Sequence, residues 1–282
     1  MKTLFVGNRG SVLREMLSAT EVVGIGVMKG TFLERDPVLE GKRYSTISSY
    51  QDFQKFVDGQ PSDIVVSNGL PLIIRTSDFP GRRFVNIHPS FLPDLRGMDP
   101  VLGAILFSKD AGATCHEIDD GIDTGPIISR VRIPHSADLN SSLLYQLSFR
   151  AEAMVFQAAW ERGFEVAHPQ EQLADSVYFS RSADTRVLPF SQGCDAVLKV
   201  IQAFDNRNQG GRFFIGPEEF STHSGWVSQN PFLYELFGGR VDCEVLMTFE
   251  DTLLVKFEGA FLLLSEIDGI RSDFVGQQVN GR

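Results

Sequence analysis

Short apolar runs alternate with segments of helical periodicity through the first half of the chain, and no other feature restricts the fold so strongly. Leu4 to Val6 has the length of a strand, Ser11 to Ala19 the spacing of a helix, Val22 to Val27 of a strand, Tyr50 to Val57 of a helix and Asp63 to Ser67 of a strand. Strands that alternate with helices pack by lying parallel, with the helices as right-handed crossovers on the sheet faces. The N-terminal part is therefore expected to be an α/β domain with a parallel sheet. Its first strand-to-helix turn is Gly7-Asn8-Arg9-Gly10. A helix N-terminus and a guanidinium there can hold phosphate, and a tight turn that needs glycine accounts for the same residues. The spacing is not G-x-G-x-x-G, so no dinucleotide fingerprint is read.

Phe84 to Gly125 carries the densest chemistry. Phe84 to Ile87 suits a buried strand, and Pro89, Pro93 and Gly97 forbid regular structure after it. Asn86 and His88 thus fall at the carboxyl end of a strand, where open α/β sheets place their ligands. Two residues apart on an extended chain, they project to one side and can converge on one reacting atom. Met98 to Phe107 reads as a helix with Asp99 as N-cap and Pro100 at its first position, its N-terminus facing the site. Gly112 to Ile118 reads as a strand and is followed by a glycine-bracketed loop holding Asp123. A carboxylate beside His88 would orient the ring and favour its imidazolium form. Asn, His and Asp together suit acyl transfer. His116, with His88, Asp119, Asp120 and Asp123, invites a metal reading. The compact spacing of a zinc site is missing, so no metal is expected and His116 is read as a hydrogen-bonded strand histidine.

The pattern Asn86-x-His88-Pro89-Ser90-x-Leu92-Pro93-x-x-Arg96-Gly97, followed by Asp119-x-Gly121-x-Asp123-Thr124-Gly125, resembles the signature of the 10-formyltetrahydrofolate-dependent formyltransferases. The resemblance extends over about the first 165 residues. It implies a Rossmann-like, mostly parallel sheet, the formyltransferase fold, with Asn86, His88 and Asp123 as the catalytic three. It further implies 10-formyltetrahydrofolate as co-substrate, held by Asn68, Gly69, Leu70, Ile118, Asp119 and Gly121. In the family the turn Ser67-Asn68-Gly69-Leu70-Pro71 offers backbone contacts to the pterin, and Gly69 would let the main chain approach a flat ligand. An ordinary loop with Pro71 opening a helix is the alternative.

Pro126 to Pro134 reads as a strand, and Leu139 to Gly163 as the longest helix, capped by Asn140 or Ser141 and ended by Gly163. Its packing stripe is Leu144, Leu147, Ala151, Met154, Val155 and Ala158. His168 to Gln172 reads as a connector between a catalytic domain over 1–165 and a smaller β-rich C-terminal domain over 166–282. Within the latter, Asp195 to Phe204 reads as a helix and Arg212 to Ile215 as a strand. Val241 to Phe249, Leu253 to Phe257 and Phe261 to Ile267 read as three strands joined by turns at Glu250-Asp251 and Gly259. Gly269 to Arg282 reads as a loosely ordered tail.

Composition narrows the function. Hydrophobic residues at 43% and charged residues at 22% describe an ordinary globular chain, and a net charge of -10 makes a poor general sink for nucleic-acid phosphates. Three cysteines, Cys115, Cys194 and Cys243, show no CxxC pairing and point to a reducing, cytoplasmic location. Neither a signal peptide nor a membrane span is read. Of the acceptors used by the resembled family, the mixed charges of Lys29 to Lys42 and the short C-terminal segment point away from methionyl-tRNA. The nearest likeness is to enzymes that formylate the primary amine of a nucleotide-linked amino sugar, of the kind used in lipopolysaccharide O-antigen biosynthesis. Asn8, Arg9, Ser90, Arg96, Tyr178 and Arg181 are the candidate acceptor ligands, with Trp226 a second candidate for stacking a base. The expected partners are thus small molecules, folate and a nucleotide amino sugar, without nucleic acid or membrane, and a homodimer is compatible. Methionyl-tRNA or hydroxyornithine as acceptor stays open, as does a non-catalytic folate- or nucleotide-binding protein.

Overall fold

The computed structural model describes residues 1–171, 175–206 and 208–281. Gln172, the end of the expected connector, and Arg282, the end of the expected tail, lie outside the described residues. The chain divides into two compact units. The first comprises 1–101, 109–135 and 145–180, and the second comprises 102–108, 136–144 and 181–282. Residues 166–180, expected to open the second domain, cluster with the first unit.

In the first unit the elements run β1 Lys2–Gly7, α1 Gly10–Ala19, β2 Glu21–Met28, β3 Ser45–Ile47, α2 Tyr50–Asp58, β4 Ile64–Asn68, β5 Phe84–His88, α3 Pro100–Leu106, β6 Ala111–Glu117, β7 Ile127–Ile133 and α4 Ser141–Glu161. The helices α3 and α4 extend into the second unit. The seven strands form one sheet in the order β3-β2-β1-β4-β5-β6-β7. From β3 to β5 every pairing is parallel. The pairs β5 with β6 and β6 with β7 are antiparallel, so the sheet is mostly and not wholly parallel. Alternate residues of each strand feed opposite faces. Phe5, Val27, Val66 and Ile87 pack with Val12, Leu13 and Met16 of α1 and Val155 and Phe156 of α4. Leu4, Val6, Val65 and Phe84 pack with Phe53, Phe56 and Val57 of α2. A strand buried on both faces reads as a continuous apolar run, which is why β1 and β4 were legible.

Asn140 caps α4, its side-chain oxygen accepting from the Leu143 N–H at 2.9 Å, and Gly163 follows the helix with φ 63°. The buried stripe differs from the expected one. Leu147 is 36% and Met154 53% exposed, while Ser148 and Glu152 take fully buried positions. Periodicity weights apolar side chains and so could not place two polar residues in that stripe. No helix begins at Pro71; a single 3-10 turn forms later, at Thr76–Asp78. Among the described residues no helix is long and apolar enough to cross a membrane.

The second unit holds α5 Cys194–Ala203, β8 Gly211–Ile215, β9 Glu218–Thr222, β10 Ser224–Ser228, α6 Pro231–Phe237, β11 Val245–Phe249, β12 Thr252–Phe257, β13 Ala260–Ser265 and β14 Val279–Asn280. They form an antiparallel sheet in the order β10-β13-β12-β11 and a second in the order β14-β8-β9. The strands β9 and β10 and the helix α6 lack a clear apolar period and were not read from sequence. The expected loose tail is instead ordered. Val279 and Asn280 pair with Ile215 and Phe214, and Phe274 is 2% exposed with its ring 5.3 Å from that of Phe220. One aromatic anchor and a strand pairing decide this, and both depend on chain far away in sequence.

Candidate active site

The carboxyl ends of β1, β4 and β5 open into a cavity of about 350 Å³ within the first unit. Asn86 and His88 reach it from β5, and His116 from the neighbouring β6, where it pairs directly with Asn86. Asp123 reaches it from the loop after β6. That loop places Asp123 in the left-handed region, φ 53°, an uncommon conformation for a residue with a Cβ. At the mouth Gly97, φ 105°, passes under the segment 177–179, where an added Cβ would lie 2.6 Å from the Phe179 carbonyl oxygen. Only glycine fits there.

The hydrogen bonds fix the state of each side chain. His88 Nε2 lies 2.9 Å from the Leu95 carbonyl oxygen, so Nε2 carries the proton and donates. Its Nδ1 then presents a lone pair, 3.5 Å from Asp123 Oδ1. The ring is therefore oriented by a backbone carbonyl, and Asp123 faces the nitrogen that is free to accept. Burial drives the His88 pKa below its ordinary value, against Asp123, which raises it. The carboxylate does favour the imidazolium form, as expected, but burial outweighs it. At neutral pH the ring is a neutral base. Burial alone would raise the Asp123 pKa, but the charge of His88 and His116 when protonated, with the Gly97 N–H, holds it well below the usual carboxylate range. The Gly97 N–H donates to Asp123 Oδ2 at 3.0 Å.

His116 is the cavity residue that the sequence underrated. It is 2% exposed and its Nδ1 donates to the Glu117 carbonyl at 2.7 Å. Its Nε2 lone pair then faces the Asn86 amide nitrogen at 3.4 Å, and that nitrogen also donates to Asp123 Oδ1 at 3.3 Å. Two acceptors on one side settle which end of the Asn86 amide is NH₂. Only a cross-strand pairing between Asn86 and His116 could have disclosed this role.

Of the expected folate residues, Gly69, Leu70, Ile118 and Gly121 line the cavity. Leu72, Ile73, Ile74 and Ile122, which were not singled out, line it too and give it an apolar wall. Asn68 is fully buried and donates to the Ile87 carbonyl at 3.0 Å, which ties it to β5. Asp119 turns inward and accepts from the Thr124 hydroxyl at 2.6 Å and the Gly121 N–H at 3.1 Å. Among the expected acceptor ligands, Asn8, Arg9 and Tyr178 line the cavity. Ser90 is buried, and its hydroxyl donates to the Asp94 carbonyl at 2.8 Å. Arg96 donates to the Gln170 side chain at 2.9 Å. Neither Ser90 nor Arg96 reaches the cavity wall, because both are used to hold the loop after β5. Arg181 and Trp226 belong to the second unit. Among the described residues no group of three or more His, Cys, Asp or Glu side chains is placed to hold a metal ion.

Behind Arg9 lies a buried acid. The Arg9 guanidinium stacks on Phe149, 5.0 Å from the ring centroid, and stands 3.5 Å from Glu152 Oε1. Burial lifts the Glu152 pKa to about 7, against the lowering effects of Arg9 and Asn68. Desolvation of a fully enclosed carboxylate outweighs one cation at that distance. A carboxyl whose folded pKa lies above the unfolded one stabilises the fold less as pH rises between the two values. Stability should therefore fall by on the order of 3 kcal/mol from pH ~4.5 to pH ~7 on this account. Glu152→Gln is expected to abolish that slope, and thermal unfolding of both proteins across the interval checks it.

The sequence of residues 37–159 matches the Formyl transferase family. Those residues form a formyl transferase domain. The chain is 33% identical over 153 residues to a methionyl-tRNA formyltransferase of Janthinobacterium sp. (strain Marseille), covering 51% of this chain and 48% of that protein. It is 32% identical over 126 residues to the one of Roseiflexus sp. (strain RS-1), covering 43% of this chain and 39% of that protein. The chain spans about half the length, or less, of these curated relatives. In fold it is similar to WlaRD, a sugar 3N-formyl transferase solved with dTDP and 5-N-formyl-THF. The TM-score is 0.71 at 17% identity, over 96% of this chain and 99% of that one. It is similar also to an N-formyltransferase from Helicobacter canadensis solved with folinic acid and dTDP-3-aminofucose, with TM-score 0.70 at 17% identity over 95% of this chain and 99% of that one. The seven-stranded sheet with additional C-terminal β-sheets is thus the formyltransferase fold. The formyl transferase domain contains Asn86, His88, His116 and Asp123, and its match begins after the Asn8-Arg9 turn.

Proposed function

We propose that this chain transfers a formyl group from 10-formyltetrahydrofolate to the primary amine of a nucleotide-linked amino sugar. The observation that carries formyl transfer is a neutral His88 with a free Nδ1 lone pair, an Asn86 NH₂ beside it, and the Asp123 carboxylate facing both in one cavity. The apolar wall from Leu70 to Ile74 with Ile118 and Ile122 suits the flat pterin, and Gly69, φ 68°, suits close approach of the main chain to it.

The donor supplies an activated formyl carbon, and the residues of this chain do the rest. The acceptor nitrogen forms a bond to the formyl carbon, and the carbonyl electron pair moves to oxygen. The Asn86 NH₂ stabilises that oxyanion, an interaction that grows as the charge develops. Its present contacts of 3.3 and 3.4 Å are long and leave it donating capacity. His88 Nδ1 takes the proton released by the attacking amine, and the new N–H then faces Asp123 as an ion pair. The same proton passes to the folate nitrogen as the carbon–nitrogen bond to it breaks, which leaves a formamide and tetrahydrofolate and returns His88 to its neutral form. His116 keeps the Asn86 amide facing this point.

For the acceptor, support comes from solved neighbours crystallised with dTDP or a dTDP-aminosugar, and from Arg9, Asn8 and Tyr178 on the cavity wall. A second reading, methionyl-tRNA, is favoured by the identity to methionyl-tRNA formyltransferases. The two differ in their charge requirement. A tRNA held through several phosphates releases counterions and loses affinity steeply with salt, with a slope of roughly 0.9 per phosphate on duplex and about 0.7 on single strands. A diphosphate held by one or two arginines gives a shallow dependence. Release of folate product is expected with a dTDP-, UDP- or GDP-aminosugar and to vary little between low and moderate salt. Faster formylation of methionyl-tRNA than of every aminosugar tried would reverse the assignment.

A further inference from the structure

We propose that Gln170, in the segment that follows the catalytic domain, is a positioning residue that locks Asp123 in its working conformation. The proposal rests on the formyl-transfer reading of this site. One side chain meets both sequence motifs. Gln170 Nε2 donates to the Asp123 carbonyl at 2.9 Å and to the Gly125 carbonyl at 2.8 Å, while its Oε1 accepts from Arg96 Nη2 at 2.9 Å. A primary amide has two N–H donors and a carbonyl oxygen with two lone pairs, so these three bonds use both donors and one of the two acceptor positions.

The loop it holds is the strained one. With φ 53°, Asp123 stands in a conformation that costs about 1 to 3 kcal/mol for a residue of this kind and persists only where its surroundings over-determine it. Gly97 and Asn86 hold the carboxylate from the side-chain end. Gln170 holds the main chain at Asp123 and again two residues on, so the carboxylate cannot rotate away by relaxing the backbone. Arg96 completes the link to the loop after β5. The Arg96 main chain pairs in turn with 177–179, its N–H donating to the Val177 carbonyl at 3.1 Å and its carbonyl accepting from the Phe179 N–H at 2.8 Å. The two halves of the site, more than twenty-five residues apart from Arg96 to Asp123, are thereby joined by a residue outside both. Displacement of a catalytic group by about 1 Å costs up to ~10² in rate.

The test uses the full chain carrying Gln170→Met, which keeps side-chain length and neutrality but has no N–H donor, with Gln170→Ala as its companion. Three readouts are taken: kcat and KM for each substrate, the acid limb of the kcat profile, and the imidazole titration of His88 by NMR, assigned from its loss in His88→Ala. Expected in a folded Gln170→Met are a fall in kcat of roughly 10-fold to 10²-fold, little change in the KM for folate, and an acid limb and His88 midpoint moved to lower pH. Asp123 raises the His88 pKa, so loosening it must move both downward. Adding Gln170→Met to Asp123→Asn should cost little beyond Asp123→Asn alone, because both remove one interaction. A wild-type acid limb in either folded variant, or a double-variant loss equal to the product of the single losses, would overturn the proposal. The NMR titration requires no substrate, so a wild-type protein that transfers no formyl group would count against the formyl-transfer reading while the positioning of Asp123 is still read.

Discussion

His88→Ala is expected to lower formyl-transfer turnover by roughly 10² or more while leaving folate binding and the fold largely intact. The ring is 4% exposed and its one strong partner is the Leu95 carbonyl, so its loss removes the base but breaks no network that holds β5. Steady-state kinetics with direct measurement of folate affinity decides the matter. Loss of general acid-base catalysis appears in kcat, whereas a collapsed site would weaken folate binding equally. Turnover like that of the wild type in purified His88→Ala protein would remove the mechanism. The cavity left by the imidazole costs some stability, so thermal unfolding is compared first.

Asp123→Asn should slow turnover and move the acid limb of the pH-rate profile to lower pH. The sign follows from the geometry. Burial lowers the His88 pKa and the Asp123 carboxylate opposes that effect, so a neutral amide in its place leaves desolvation opposed chiefly by the Leu95 hydrogen bond. The imidazolium formed during attack also loses its counterion in a buried setting, where such a pair matters far more than at a surface. A loss of about 10² is expected. There is a second consequence for stability. The Asp123 pKa is depressed in the folded protein, so this group stabilises the fold above the unfolded carboxylate range and less as pH falls through that range, a dependence that Asp123→Asn should remove. A pH profile superimposable on that of the wild type would mean that the carboxylate serves the loop alone.

Methionyl-tRNA formyltransferases stand nearest in sequence among the relatives described, while the fold is shared along almost the whole chain with enzymes solved with dTDP or a dTDP-linked sugar. The two comparisons weigh different things. The family match covers 37–159, where Asn86, His88 and Asp123 lie, and in the proposed mechanism these residues serve the donor and the chemistry whichever amine is formylated. Arg9 and Tyr178, the cavity residues proposed to meet the acceptor, lie outside that match.

The chain's own residues determined the strand order's raw material and the reacting groups. The residues Leu4 to Val6, Ile64 to Val66, and Phe84, Val85 and Ile87 are apolar because both faces of the sheet are covered, and Asn86 and His88 share a side because strand residues alternate. What only the tertiary structure decided are quantities fixed between distant segments. The antiparallel placement of β6 put His116 opposite Asn86, and the Leu95 carbonyl selected the His88 tautomer. Packing of α4 against the sheet made Glu152 a buried acid, and Gln170, in a stretch that reads as a connector, tied Arg96 to Asp123. A tautomer, a pKa and a clamp depend on which groups meet and how much water is excluded. Local patterning carries the period of an element but not its neighbours, and those neighbours set the chemistry here.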